Sequence, residues 1–292
     1  MSSRFEGKVV AISGAGKGLG RAYALHFASL GASVVVNNRR HQGEQKSSAD
    51  QVVEEIVGSG GSAVVDYSSV EDPEAGERLL VCGLENFGRI DCLIANAGII
   101  ENTSFRKQTL QGLRDVLEIN LMGTINVVHP VFRHMCDQQH GNIIVSTSSA
   151  GLFGEFGLPA YSASKAAVIG LMRSLSLEGA PKNVQVNAIA PYASTQMTAA
   201  HLSNEVNAKF GPEHVAPVVA RLASSGLTGE ILIAGGGRVA RARMKTTQPV
   251  PVPDADGYDW QTLSSAALDI DVDSAGRNFE GFVASLSKGG KG

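Results

Sequence analysis

The apolar run KVVAIS (residues 8–13) passes without a break into the glycine turn SGAGKGLG and then into RAYALHFASL, a segment with helical periodicity. A strand that gives way to a turn opening directly into a helix is the first half of a βαβ unit, and such units build parallel sheets. The pattern then repeats. Gly31 ends the first helix, ASVVVN (residues 32–37) forms a second strand, and a helix is expected around residues 51–57. Strands at residues 62–65, 90–95, 141–146, 184–189 and 230–233 alternate with helices at 73–87, 121–136 and 161–177. These strands are almost unbroken Val, Ile and Leu, which marks a sheet buried on both faces. Right-handed crossovers place helices on both sides, so the expected fold is α/β, a doubly wound parallel sheet of Rossmann type.

The composition shifts after Gly237: RVARARMK is basic, QPVPVPDADG is proline-rich, and residues 260–288 have room for one or two short helices. Residues 1–240 therefore read as one domain. Residues 241–292 read as a C-terminal extension packed on it, too short to sustain a core of its own.

A net charge of -3 supplies no overall positive field to gather phosphates, which argues against a nucleic-acid partner. The first residues lack a basic segment followed by a long apolar core, and no run of about 18 apolar residues occurs, so a non-membrane, cytoplasmic protein is expected. Cys82, Cys92 and Cys136 are scattered without a CxxC spacing, and none of the seven histidines forms an HExxH pair. Neither a disulfide framework nor a metal site is expected.

Two constellations carry chemistry. In the first, Gly14, Gly16, Gly18 and Gly20, with Lys17 and Leu19 between them, lie where a strand becomes a helix. Glycines there let the backbone approach a pyrophosphate held by the helix N-terminus. In isolation the same letters could be a plain tight turn; the strand-turn-helix context favours the dinucleotide reading. In the second, Tyr161 and Lys165 stand at i and i+4 on one helix face, with Ser148 thirteen residues before Tyr161, just beyond the 141–146 strand. The C-terminal ends of parallel strands are where open α/β sheets bind ligands. A free phenol titrates near pH 10. A cation about 4 Å away, at an effective dielectric of 20, would favour the phenolate by roughly 4 kcal/mol before desolvation opposes it, which suits proton transfer at neutral pH.

The spacing Gly14-x-x-x-Gly18-x-Gly20, the segment Ala95-Asn96-Ala97-Gly98, Asn120 in INLMG, and Ser148 with Tyr161 and Lys165 together resemble the short-chain dehydrogenase/reductase family over roughly residues 5–240. The resemblance implies a secondary alcohol and ketone interconverted with a nicotinamide cofactor. Ser148 would hydrogen-bond the substrate oxygen, Tyr161 would be the general acid/base, Lys165 would also hold the nicotinamide ribose, and Asn120 would hold a water that passes the proton to solvent. Asn96, Ala97 and Gly98 would floor the cofactor site. Pro191, in the family's PG motif, would lie by the carboxamide, although Tyr192 replaces the glycine.

Where the second strand ends, Asn37-Asn38-Arg39-Arg40 offers no acid for ribose hydroxyls. Lys17 and Arg39 are expected to favour NADP(H) over NAD(H), although both could be solvated surface groups and Asn38 could still bond a ribose hydroxyl. Ser68 or Asp66 would contact the adenine.

GRAYAL, VVVNN, FGRID, GLFGEFG and YSASK look most like the (3R)-hydroxyacyl-CoA dehydrogenase unit of peroxisomal multifunctional enzymes and its stand-alone bacterial relatives. That likeness implies an acyl-CoA or a hydroxysteroid as the small-molecule substrate, and a homodimer or homotetramer built on the helices at 121–136 and 161–177. Residues 196–210 would cover the substrate. Arg238, Arg241, Arg243 and Lys245 would reach CoA phosphates or form a solvated edge. A non-catalytic dinucleotide sensor and a sugar epimerase or dehydratase of the related extended type are the competing classes.

Overall fold

Seven apolar segments take up parallel register in the computed structural model, which describes residues 4–40, 43–195, 203–250 and 260–286. They are β1 (Val9–Ile12), β2 (Ser33–Asn37), β3 (Ser62–Asp66), β4 (Cys92–Ala95), β5 (Gly141–Ser146), β6 (Val184–Pro191) and β7 (Ile231–Gly235). Their spatial order is β3-β2-β1-β4-β5-β6-β7, every pairing parallel. The order reverses between β1 and β4, which opens a crevice at their C-terminal ends. Beyond β7, Gly236 and Gly237 both adopt positive φ (54° and 71°), a two-residue turn that folds β8 (Arg238–Ala242) back along the sheet edge. The basic run after Gly237 is thus partly a strand.

The helices are α1 (Gly18–Ser29), α2 (Ser48–Gly58), α3 (Ala75–Phe87), α4 (Leu110–Leu117), α5 (Gly123–Gln138), α6 (Ser149–Phe153), α7 (Pro159–Gly179), α8 (Asn204–Lys209) and α9 (Ala216–Ala223). Side chains alternate across each strand. Val10, Ile12, Val34, Val36 and Ile94 therefore share one buried layer with Tyr23 and Phe27 of α1, Val52 and Ile56 of α2, and Val219 of α9. Val9, Val35, Leu93 and Ile143 are equally buried on the other side, where α3, α5 and α7 contact the sheet. Burying each such side chain contributes roughly 1.5–3 kcal/mol.

The helix expected from residue 121 starts earlier. Thr109 caps α4 by accepting from the Gly112 amide, and a π-helical turn (Glu118–Met122) joins α4 to α5. Within the segment expected to cover the substrate, residues 196–202 lie outside the described residues, and 204–209 form α8 rather than a loop.

By its contacts the chain divides into two units, Met1–Arg241 and Ala242–Gly292. In the second, β9 (Lys245–Thr246) pairs antiparallel with β10 (Ile270–Asp271), accompanied by α10 (Trp260–Ser265) and α11 (Ala275–Leu286). Among the described residues no helix is long and apolar enough to cross a membrane, and no cluster of His, Cys, Asp or Glu could hold a metal ion.

Candidate active site

The glycine turn sits against the end of β4. Gly14 has φ +64°, and a Cβ there would lie 2.8 Å from the Ala97 Cα, so the two backbones touch. A Cβ at Gly20 would lie 2.1 Å from the Gly14 carbonyl oxygen, which shows that α1 must begin directly on the turn. Asn96 fastens the arrangement: its Nδ2 donates to the Ser13 and Gly14 carbonyls (3.2 and 3.3 Å), while the Asn96 and Ala97 amides donate to Ser13 Oγ. Gly16 packs elsewhere. A Cβ on it would meet Ser48 Oγ and Asn38, so its role is to admit the start of α2.

Above this turn lies a cavity of about 280 Å³. Gly14, Lys17, Gly18 and Leu19 form one wall, Asn37, Asn38 and Arg39 the end, and Ser68, Ser69 and Glu71 the far side; Asn96, Ala97 and Gly98 form the floor. The residues fit a dinucleotide. Lys17, the N-cap of α1, makes no side-chain capping bond, and the first turn holds no acid, so the helix N-terminus presents its amides to an anion. Asn37 is buried, and its Oδ1 has no donor among the described residues. Its Nδ2 donates to Asp66 Oδ2 (2.7 Å) and to the Ser68 carbonyl (2.9 Å). Asp66 is thus spent on an internal brace that also accepts from the Ser68 amide and hydroxyl, and of the two adenine candidates only Ser68 lines the cavity. Arg39 donates through Nη1 to Glu71 Oε2 at 2.7 Å, within the same lining.

The second constellation is assembled by β5 and α7. The Thr147 hydroxyl donates to the Lys165 carbonyl (2.8 Å), and Gly151 lets the short α6 settle onto α7, which brings Ser148, the N-cap of α6, to Tyr161. Ser148 Oγ accepts from the Ala150 amide and stands beside the Tyr161 phenol. Burial pushes the phenol pKa up, and the neighbouring Ser148 hydroxyl opposes that by favouring the phenolate. The pKa is thus raised rather than lowered as expected, with burial as the main cause and Ser148, not Lys165, as the opposing one. Lys165 is itself 4% exposed; Nζ lies 5.7 Å from the Tyr161 ring centroid and donates to the Ser146 carbonyl at 2.8 Å, and burial brings its pKa down to about 8.

Asn120 occupies the π-helical turn and is fully buried. Its Oδ1 accepts from the Ile99 amide (2.7 Å), and its Nδ2 donates to the Ile99 carbonyl (2.9 Å) and to Ser164 Oγ (3.1 Å). Both amide hydrogens are committed. The side chain is a strut between the end of β4 and α7, and a Cβ at Gly98 would lie 3.0 Å from its Oδ1. Pro191 ends β6 opposite Ala234. Tyr192 does not have positive φ, so nothing at that position requires glycine.

The sequence pointed to neither Glu71, Ser164 nor Gly151 as part of the site. The first two act through pairings 32 and 44 residues away, which no local spacing announces. Gly151 stood in GLFGEFG, next to Ser148, where a closely packed helix start was a readable signal.

A nucleotide cradle at the β1/β4 switch point beside a Ser-Tyr-Lys group defines a dinucleotide-dependent oxidoreductase. The family model for short chain dehydrogenase matches residues 8–206, and the chain belongs to the short-chain dehydrogenase/reductase family. It is 40% identical over 243 residues to a chain named a short-chain type dehydrogenase/reductase in Mycobacterium tuberculosis, covering 81% of this chain and 85% of that one. It is also 38% identical to mouse peroxisomal multifunctional enzyme type 2, covering 89% of this chain but 37% of that protein. The structure of the full-length Drosophila melanogaster enzyme of that name superposes with a TM-score of 0.80 at 31% identity, over 98% of this chain and 50% of the other. A 3-oxoacyl-(acyl-carrier-protein) reductase of Thermotoga maritima is 34% identical over 81% of this chain and 99% of its own length.

Proposed function

We propose that this enzyme interconverts a 3-hydroxyacyl and a 3-oxoacyl thioester, with NADP(H) preferred over NAD(H). The observation that carries the chemistry is Ser148 set beside the buried Tyr161 phenol, with buried Lys165 alongside. The nicotinamide cofactor supplies or accepts the hydride. In the reducing direction Ser148 donates a hydrogen bond to the carbonyl oxygen, and Tyr161 gives that oxygen its proton as negative charge develops on it. In the oxidising direction the phenolate removes the hydroxyl proton. Lys165, while protonated, favours the phenolate and offers a donor to a ribose hydroxyl. Asn120 keeps the β4 turn and α7 in register for both.

The thioester assignment draws on relatives of both kinds, the peroxisomal multifunctional enzymes and the 3-oxoacyl reductases. Hydroxysteroids are the second substrate class to assay. The NADP(H) preference draws on Lys17 and Arg39 in the cavity lining and on the absence of an acid at the end of β2. Retention of Ser148, Tyr161 and Lys165 together speaks for catalysis rather than for a dinucleotide sensor. Assembly as a homodimer or homotetramer through α5 and α7 is supported by Leu177, an apolar residue of α7 that is 54% exposed, and sedimentation at micromolar concentration tests it. The cytoplasm is the proposed compartment, in keeping with three free cysteines. The deciding experiment is turnover of NADPH and NADH against 3-oxoacyl thioesters, steroids and simple diketones; reduction of diketones alone would defeat the thioester reading.

A further inference from the structure

Only three charged side chains line the cofactor cavity among the described residues: Lys17, Arg39 and Glu71. Glu71 is the one acid. Its Oε2 accepts from Arg39 Nη1 at 2.7 Å and from the Ser69 hydroxyl at 3.0 Å, so the carboxylate is anchored on the segment after β3 while it holds the guanidinium. The neighbouring Arg40 is engaged elsewhere, with Asp50 at 3.4 Å and the face of Tyr67 at 4.9 Å. Arg39 is thus the cation at the end of β2 that lines the cavity, and its positive charge there is offset in part by a fixed negative one.

We propose that Glu71 is a specificity-determining residue that restrains the preference for a phosphorylated adenosine ribose by occupying Arg39. This rests on the NADP(H) reading of Arg39 given above. A ribose 2′-phosphate brings up to two negative charges to a guanidinium already paired with a carboxylate, and it must either share Arg39 with Glu71 or displace it. A ribose hydroxyl is neutral and meets no such opposition. Arg39 and Glu71 are 48% and 40% exposed, so water screens the pair and the effect is modest.

The test uses the whole chain and direct titration of NADPH and NADH by nicotinamide fluorescence, which needs no substrate. Glu71→Gln keeps the shape of the side chain and removes its charge. It is expected to tighten NADPH about five- to tenfold at low salt, to leave NADH within about twofold, and to lose most of the gain at high ionic strength. In the double variant Arg39→Gln/Glu71→Gln the gain should vanish. Unchanged or weakened NADPH binding in Glu71→Gln overturns the proposal, and a gain that persists in the double variant overturns the route through Arg39. Arg39→Gln alone reports on the underlying reading: if it leaves NADPH affinity intact, the cofactor preference does not reside in Arg39, whatever Glu71→Gln shows.

Discussion

Gly151 and Lys165 meet with no room for a side chain between them: a Cβ at Gly151 would lie 2.7 Å from the Lys165 carbonyl carbon and 2.8 Å from its Cβ. This contact sets how close Ser148, three residues earlier, comes to the phenol on α7. Gly151→Val should push α6 away, costing about 1–3 kcal/mol of stability as overpacking and lowering kcat more than cofactor affinity. Thermal melts and NADPH titration, read beside turnover, separate the two effects. A variant with normal kcat would show that α6 does not set the Ser148–Tyr161 geometry.

Tyr161→Phe keeps the ring and removes the proton-carrying oxygen. Turnover should fall by about 10²–10⁴-fold, mainly in kcat, with the melting temperature and cofactor affinity little changed. Near wild-type turnover on a confirmed substrate would exclude Tyr161 as the general acid/base.

Burial brings the Lys165 pKa down to about 8, so its charge is present below that value and lost as pH rises through it. Affinity for the cofactor should weaken above about pH 8, and Lys165→Met should bind more weakly throughout with that limb missing. The folding linkage has the opposite sense. Between about 8 and the ordinary lysine value near 10.4 the unfolded chain holds more protons, so this residue makes stability rise with pH. A wild-type binding profile flat to pH 10 would remove Lys165 from ribose recognition.

Asp91 precedes β4 and accepts from the Val9 amide (2.9 Å), with Lys8, Arg89 and His140 around the same carboxylate. Burial raises its pKa, but the Val9 amide and the cations outweigh that and leave it below the usual carboxylate value. A lowered carboxylate pKa stabilises the fold above the unfolded value, and the contribution disappears as pH falls below about 4. Asp91→Asn should therefore cost about 1–3 kcal/mol at pH 7, with the gap to wild type closing in acid. Urea titrations at the two pH values check this; a gap independent of pH would mean that the charge is irrelevant.

The layers of the fold were legible because each β-strand is a short apolar run and each turn announces itself in neighbouring residues. The glycine loop and the Tyr161–Lys165 pair belong to the same class of signal: their geometry is fixed within one turn of helix. Helix α4 lies outside the expected helices although Thr109 is a readable N-cap, because its run LQGLRDVL buries only Val116 and carries a weak core signal. Helix α9 has no counterpart among the helices expected from the sequence, and Pro212 and Pro217 belong to a residue type that breaks a helix interior. In fact they sit in the first turns of their helices, where a missing amide costs nothing. The occupation of Asn120 could not be read locally. Its partners, Ile99 and Ser164, come from the end of β4 and the middle of α7, and only the folded sheet brings them together.

The π-helical turn at Glu118–Met122 has a consequence for helix phase. It places one extra residue in an otherwise continuous rod running from Leu110 to Gln138, and one residue is worth about 100° of rotation about the helix axis. Upstream, α4 leans on α7; downstream, α5 leans on α3 and the sheet. A rod of uniform phase would present the same stripe throughout. The inserted residue lets one continuous helix show two differently oriented stripes to two sets of neighbours, with Asn120 at the point where the phase changes. Deleting a single residue there would turn every side chain on one half of the rod away from its partners, so the insertion is a structural hinge in register rather than in motion.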